Sequence, residues 1–91
     1  MFEWDEVKRL ENIEERGVDF RIASQIFLNP PFIEAEDVRA DYGETRYRAI
    51  GSVDGETYLV GYTWRGDNRR IITPWRLGDD GKERYTNLLS R

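Results

Sequence analysis

The 91-residue chain contains no cysteine and no histidine. Without thiols it has neither disulfides nor thiolate metal ligands to reinforce a small core, and without imidazole it lacks the commonest metal ligand and the ordinary general base. No apolar run approaches the length of about 18 residues that a membrane-spanning helix needs. The opening MFEWDEVKRL carries carboxylates where a secretory signal needs positive charge and then an apolar stretch, so the cytoplasm is the expected compartment. A glycine-rich phosphate loop is also missing: Gly51, Gly55, Gly61 and Gly66 fall in or between strand-like runs, where turns, bulges and close packing account for them. The net charge of −4 argues against tight, purely electrostatic binding of nucleic acid.

What remains is an apolar content of 38%, enough for one domain over residues 1–91. Its stability should lie at the low end of the usual range, so a partner or a homodimer contact would add to it. Charge is unevenly distributed. Most carboxylates lie at or before Asp54, whereas WRGDNRRIITPWR, residues 64–76, concentrates Arg65, Arg69, Arg70 and Arg76 with two tryptophans in thirteen residues.

The punctuation predicts an α+β fold. Asp5 caps a first helix in which Val7, Leu10 and Ile13 recur every three residues, and Gly17 ends it. Asp19 caps a second helix with Phe20, Ala23, Ile26 and Phe27 on one stripe and Val18 as a staple against Ala23; Asn29-Pro30-Pro31 stops it. Phe32-Ile33 is a short extended segment, and residues 34–44 form an acidic loop turning near Tyr42-Gly43. Strands follow over Arg46 to Val53, Thr57 to Trp64 and Arg69 to Trp75, the first two joined at Asp54-Gly55 with Glu56 able to widen the loop. Pro74 places the third strand at an edge or marks its end. A terminal helix capped by Asp79 or Asp80 carries Tyr85, Leu88 and Leu89. The expected architecture is an antiparallel sheet of three to four strands packed against two N-terminal helices and a C-terminal helix.

Strand alternation then selects candidate residues. Arg46 and Arg48 leave the first strand on one face, Arg65 ends the second, and Arg70 and Arg76 share a face of the third. If these strands are neighbours, their guanidiniums converge and can grip a phosphate through forked, charge-assisted bonds. Such a cluster stabilises charge developing on phosphorus oxygens when a ribose 2′-hydroxyl attacks, with Glu44 as the nearest proton acceptor and no metal required. The plainer reading is a wet sheet face whose arginines pair with acids for little energy. Trp64 and Trp75 stack bases if exposed; Trp64 is assigned to the core, and Trp4 to an N-terminal anchor beside Lys8, which adds a phosphate contact. Glu34, Glu36, Asp37 and Asp41 lack metal-site spacing and are read as solvent-facing.

The order of FEWDEVKRLEN (2–12), RGVDF (16–20), Ala23, Phe27 and Asn29-Pro30, EDVRADYGETRYRAIG (36–51), DG (54–55) and YTWRGDNRRIIT (62–73) resembles the BrnT-like toxins of type II toxin–antitoxin pairs. The resemblance implies a RelE-like fold and metal-independent cleavage of RNA. It also implies inhibition by a cognate ribbon-helix-helix antitoxin, with operator DNA reached only through that antitoxin. The family's charged positions fall on Lys8, Glu44, Arg46, Arg65, Arg70 and Arg76, with Arg48 and Trp75 as further RNA contacts. Two stretches depart from the pattern: Glu15-Arg16 replaces a lysine-histidine pair, and Thr73-Pro74-Trp75-Arg76 replaces a small residue followed by two basic ones. These departures leave an alternative open, a catalytically weakened or inactive toxin-like protein that acts as an antitoxin-binding module. Direct reading of DNA by this chain is disfavoured, because it has no recognition-helix signal.

Overall fold

The computed structural model describes residues 1–89. Its elements are β1 (Phe2–Glu3), α1 (Glu6–Arg16), α2 (Phe20–Ala23) continuing as a 3₁₀ segment (Ser24–Leu28), β2 (Ile33–Glu36), β3 (Tyr47–Val53), β4 (Glu56–Arg65), β5 (Asn68–Arg76) and α3 (Asp79–Leu89). The strands form one sheet in the order β1-β5-β4-β3-β2. The fold class is α+β as expected, but the sheet has five strands and is mixed, because β1 runs parallel to β5. Two residues are too few to show a periodicity, so β1 has no signal in the sequence. On the far side, the short extended segment at Ile33 continues through Glu36, taking residues 34–36 out of the expected acidic loop to pair antiparallel with β3 and satisfy backbone groups that an edge would expose.

The caps behave as their chemistry dictates. The Asp5 carboxylate accepts from the Val7 and Lys8 amides, Gly17 ends α1 at φ 68°, and Asp19 accepts from the Arg21 amide. The second helix is not continuous: one α turn tightens into 3₁₀ winding, with the Ser24 hydroxyl donating to the Arg21 carbonyl at 2.9 Å. This winding seats Ile26 against Gly51, where a Cβ would lie 2.8 Å from Ile26 Cβ. Phe27 meets Phe2, Phe32 and Tyr62 at centroid distances of 5.9, 5.1 and 5.1 Å, forming the aromatic centre of the core with Val60 and Ile71 beneath.

α1 inverts its expected packing. Val7, Leu10 and Ile13 are exposed, the first two at 64% and 54%, while Asn12 is buried and donates to the Val18 carbonyl at 2.7 Å. The helix is held by polar contacts, including Arg9 to Asp19 at 3.3 Å, and its apolar stripe is left largely uncovered by the described residues. Trp64, assigned to the core, is 45% exposed near the end of β4, packed edge-on to Tyr62. Of the terminal helix, Tyr85 is buried and its hydroxyl donates to the Pro31 carbonyl at 2.6 Å, whereas Leu88 is exposed. The expected packing of the Leu89 side chain falls outside the described residues.

The β3–β4 hairpin turns on Asp54 at φ 49° and Gly55 at φ 82°, a primed turn in which Glu56 pairs with Val53 and so does not widen the loop. Between β4 and β5 the register slips. Tyr62 faces Ile71 but Gly61 faces Thr73, leaving Ile72 as an extra residue. Each strand position alternates between faces, so one inserted residue reverses the parity of everything beyond it. Arg69 and Ile71 therefore share the helix-covered face with Pro74 and Arg76, while Arg70 shares the open face with Thr73 and Trp75. The expectation that Arg70 and Arg76 lie on one face is overturned by this bulge. Pro74 is accommodated because β1 pairs only with Arg69 and Arg70, so β5 is an edge at Pro74 and needs no amide there.

Candidate functional site

The open face collects the remaining candidates. Buried Ala49 and Val60 point toward the helices, so Arg48, Leu59 and Gly61 point away from them, and Arg46 and Arg65 follow the same alternation. Lys8, Glu44, Arg46, Arg65 and Arg70 line one cleft, together with Asp5, Ile71 and Ile72. Glu44 sits between two guanidiniums, 3.2 Å from Arg46 Nε and 3.5 Å from Arg65. Arg70 contacts Glu3 at 2.8 Å, and Arg46 lies over the Tyr42 ring at 4.2 Å. The Asp5 carboxylate is committed to the helix cap. Lys8 and Arg48 carry no ion pair among the described residues.

Arg76 is elsewhere. Its guanidinium donates to the Gly17 carbonyl at 3.0 Å and lies 4.0 Å from Glu56, so it braces the end of α1 outside the cleft. Arg48 and Trp75 line a second recess of about 160 Å3 that shares Arg46 and Ile72 with the cleft. Buried Arg48 Nε has no hydrogen-bond partner. Two of the three cleft arginines, Arg46 and Arg65, pair with Glu44 of the 34–44 segment, and the third, Arg70, pairs with Glu3 of β1.

That segment folds back on itself. The Asp37 carboxylate accepts from Arg39 at 2.8 Å on each oxygen and from the Tyr42 hydroxyl at 3.2 Å, and the Arg39 guanidinium holds it well below the usual carboxylate range. A depressed carboxyl stabilises the fold above its unfolded value of about 3.9 and ceases to do so as pH falls. Asp37→Asn is therefore expected to lower the urea midpoint at pH 7, with the gap to the unsubstituted protein narrowing below about pH 4. A gap constant from pH 7 to pH 2.5 would show that the Asp37 charge contributes nothing.

Arg69 is the important side chain that sequence reasoning passed over. Its guanidinium lies 4.1 Å from the centroid of Phe27, 4.8 Å from Trp64, 5.3 Å from Tyr62 and 5.7 Å from Phe32, which makes it a partly buried cation capping the aromatic cluster. Its alternation with Ile71 was the available signal. Next to it the Tyr62 hydroxyl donates to Glu34, and burial, reinforced by that bond, pushes the phenol up to about 12. Tyr62 thus stays protonated and serves packing.

The protein is thus an α+β chain whose open sheet face carries a cleft in which Arg46 and Arg65 share Glu44 and Arg70 pairs with Glu3. The family model for the ribonuclease toxin BrnT of type II toxin–antitoxin systems matches residues 4–76, and the chain belongs to that family. A search of curated proteins gives no match. Membership brings an antitoxin partner and an RNA substrate with it. No helix among the described residues is long and apolar enough to cross a membrane, and no group of three or more acidic, histidine or cysteine side chains among them is arranged to hold a metal ion.

Proposed function

We propose that this chain, acting as one domain, cleaves single-stranded RNA without a metal ion at the cleft between Lys8, Glu44, Arg46, Arg65 and Arg70. The observation that carries the reading is the sharing of Glu44 by Arg46 and Arg65, which leaves the pair of cations incompletely neutralised. An incoming phosphate competes for Arg65, whose contact with Glu44 is the longer, and frees a carboxylate oxygen. Glu44 then takes the proton of the 2′-hydroxyl as its oxygen attacks phosphorus. The bond to the 5′-oxygen breaks, that oxygen takes a proton from solvent, and a 2′,3′-cyclic phosphate remains. Arg46, Arg65 and Arg70 hold the phosphoryl oxygens through this step, and their fixed geometry lowers the barrier.

The test is digestion of a single-stranded RNA in excess chelator by the protein and by Glu44→Gln. Cleavage that survives chelation and falls by about 10²–10⁴-fold in the variant is the expected result, the usual range for a general base. Cleavage abolished by the chelator would remove the metal-independent mechanism, and undiminished cutting by Glu44→Gln would remove the base.

A ribbon-helix-helix antitoxin is the proposed partner. Support comes from the uncovered Val7, Leu10 and Ile13 on α1, flanked by Glu11 and Glu14, a surface suited to a basic amphipathic segment. The ion pairs of Arg46 and Arg70 favour the second reading, an antitoxin-binding module with little activity, and the same digestion separates the two.

A further inference from the structure

The recess next to the cleft has a floor without a side chain. Gly61 in β4 is paired with Arg48 in β3 and Thr73 in β5, so a gap opens over the middle strand between two flanking side chains. The fold does not require glycine here: an added Cβ would meet nothing closer than Thr73 Cγ2 at 3.4 Å, an ordinary contact. On one wall Trp75 is 44% exposed, and the guanidinium of Arg16 lies 3.6 Å from its ring centroid. Arg16 and Trp75 come from the two stretches that depart from the family pattern, and they meet in space. On the opposite wall Arg48 has neither a carboxylate partner nor an acceptor for its buried Nε. The residue is nonetheless partly exposed and its guanidinium donates to no acceptor among the described residues, so it keeps N–H groups for an acceptor-bearing ligand. The carboxylate in the wall, Asp37, is neutralised by Arg39 and accepts from the Tyr42 hydroxyl.

We propose that this recess is a nucleobase subsite. It rests on the reading of the neighbouring cleft as a phosphate site, to which Arg46 and Ile72, common to both, connect it. A base lies over Gly61 and stacks on the face of Trp75 turned away from Arg16, and Arg48 donates to a ring nitrogen or carbonyl on its edge. Arg16 holds the indole in place from behind, so it is a positioning residue. A flat, aromatic, acceptor-bearing group fits this combination of ring, donor and open floor better than an aliphatic side chain.

The experiment compares the affinities of nucleoside 3′-monophosphates and ribose 5-phosphate by calorimetry, with the unsubstituted protein and with Trp75→Ala, Trp75→Phe and Gly61→Val. A nucleotide is expected to bind about 5- to 100-fold more tightly than ribose 5-phosphate, the range that base–aromatic stacking provides. That advantage should vanish in Trp75→Ala and in Gly61→Val, which fills the floor, and largely persist in Trp75→Phe. Affinity for ribose 5-phosphate should be unchanged throughout. Should Gly61→Val fail to fold, the Trp75 pair decides alone. Equal binding of nucleotide and ribose 5-phosphate by the unsubstituted protein would overturn the proposal and leave the recess to a side chain of the antitoxin. A Trp75→Ala variant that weakens both ligands equally would also overturn it. Base-dependent binding without RNA cleavage would support the subsite while removing the nuclease reading, and cleavage without any base contribution would do the reverse.

Discussion

Arg46→Ala is expected to slow RNA cleavage by about 10²–10³-fold, the loss that follows removal of one fixed donor to a developing oxyanion. Among the cleft arginines Arg46 has the most to lose. It is bound to Glu44 at 3.2 Å, lies over Tyr42 at 4.2 Å, and lines both the cleft and the neighbouring recess. Its guanidinium is thus held before substrate arrives, and preorganisation is what makes a donor effective. Arg65, more exposed and 3.5 Å from the same carboxylate, is less constrained, so Arg65→Ala should cost less than Arg46→Ala. The double variant should fall short of the product of the two, because groups sharing Glu44 act as a unit.

Stability should barely follow. A partly exposed ion pair contributes about 0–1 kcal/mol, equivalent to a shift of the thermal midpoint of at most about 4–8 °C in a domain this small. Arg84→Ala, on the exposed side of α3, serves as the control. Equal rates for Arg46→Ala and Arg84→Ala would separate the cleft from the chemistry.

Gly51→Ala is expected to destabilise the fold by about 1–3 kcal/mol, the usual cost of forcing an extra methyl into a packed core. The reason is local. A Cβ at Gly51 would lie 2.8 Å from Ile26 Cβ and 3.1 Å from Phe32 Cβ, atoms attached directly to backbone that cannot swing aside. Either the 3₁₀ segment lifts from the sheet or β3 bends. For a small domain holding only about 5–15 kcal/mol, this loss would be plain in a urea melt. Gly61→Ala is the contrast, because its nearest neighbour stands at 3.4 Å and the change should stay within about 1 kcal/mol. If the two variants melt together, the close approach of Ile26 to β3 is not a constraint on this protein.

Much of the chain could be read without coordinates, for a physical reason: its signals are local. A short acid ahead of a helix satisfies free amides, so Asp5 and Asp19 cap where expected. Asp54-Gly55 tolerates positive φ, so the β3–β4 hairpin closes there. The family match over residues 4–76 likewise agrees with motifs quoted from the sequence alone.

Other features depend on contacts between distant residues. Whether Val7, Leu10 and Ile13 face a core depends on what packs against α1, and polar ties to Val18 and Asp19 leave them outward. An aromatic in a small protein is expected inside, but the place of Trp64 near the end of β4 leaves it half exposed.

By itself, then, the sequence determined the caps, the turn, the α+β class and the family, because each follows from a few neighbouring residues or from their order. The tertiary structure alone decided which arginines stand together. A single unpaired residue, Ile72, reverses the faces of β5, sends Arg76 to Gly17, and turns Trp75 toward Arg48. A bulge is a property of two strands aligned in space, and no periodicity within one strand contains it.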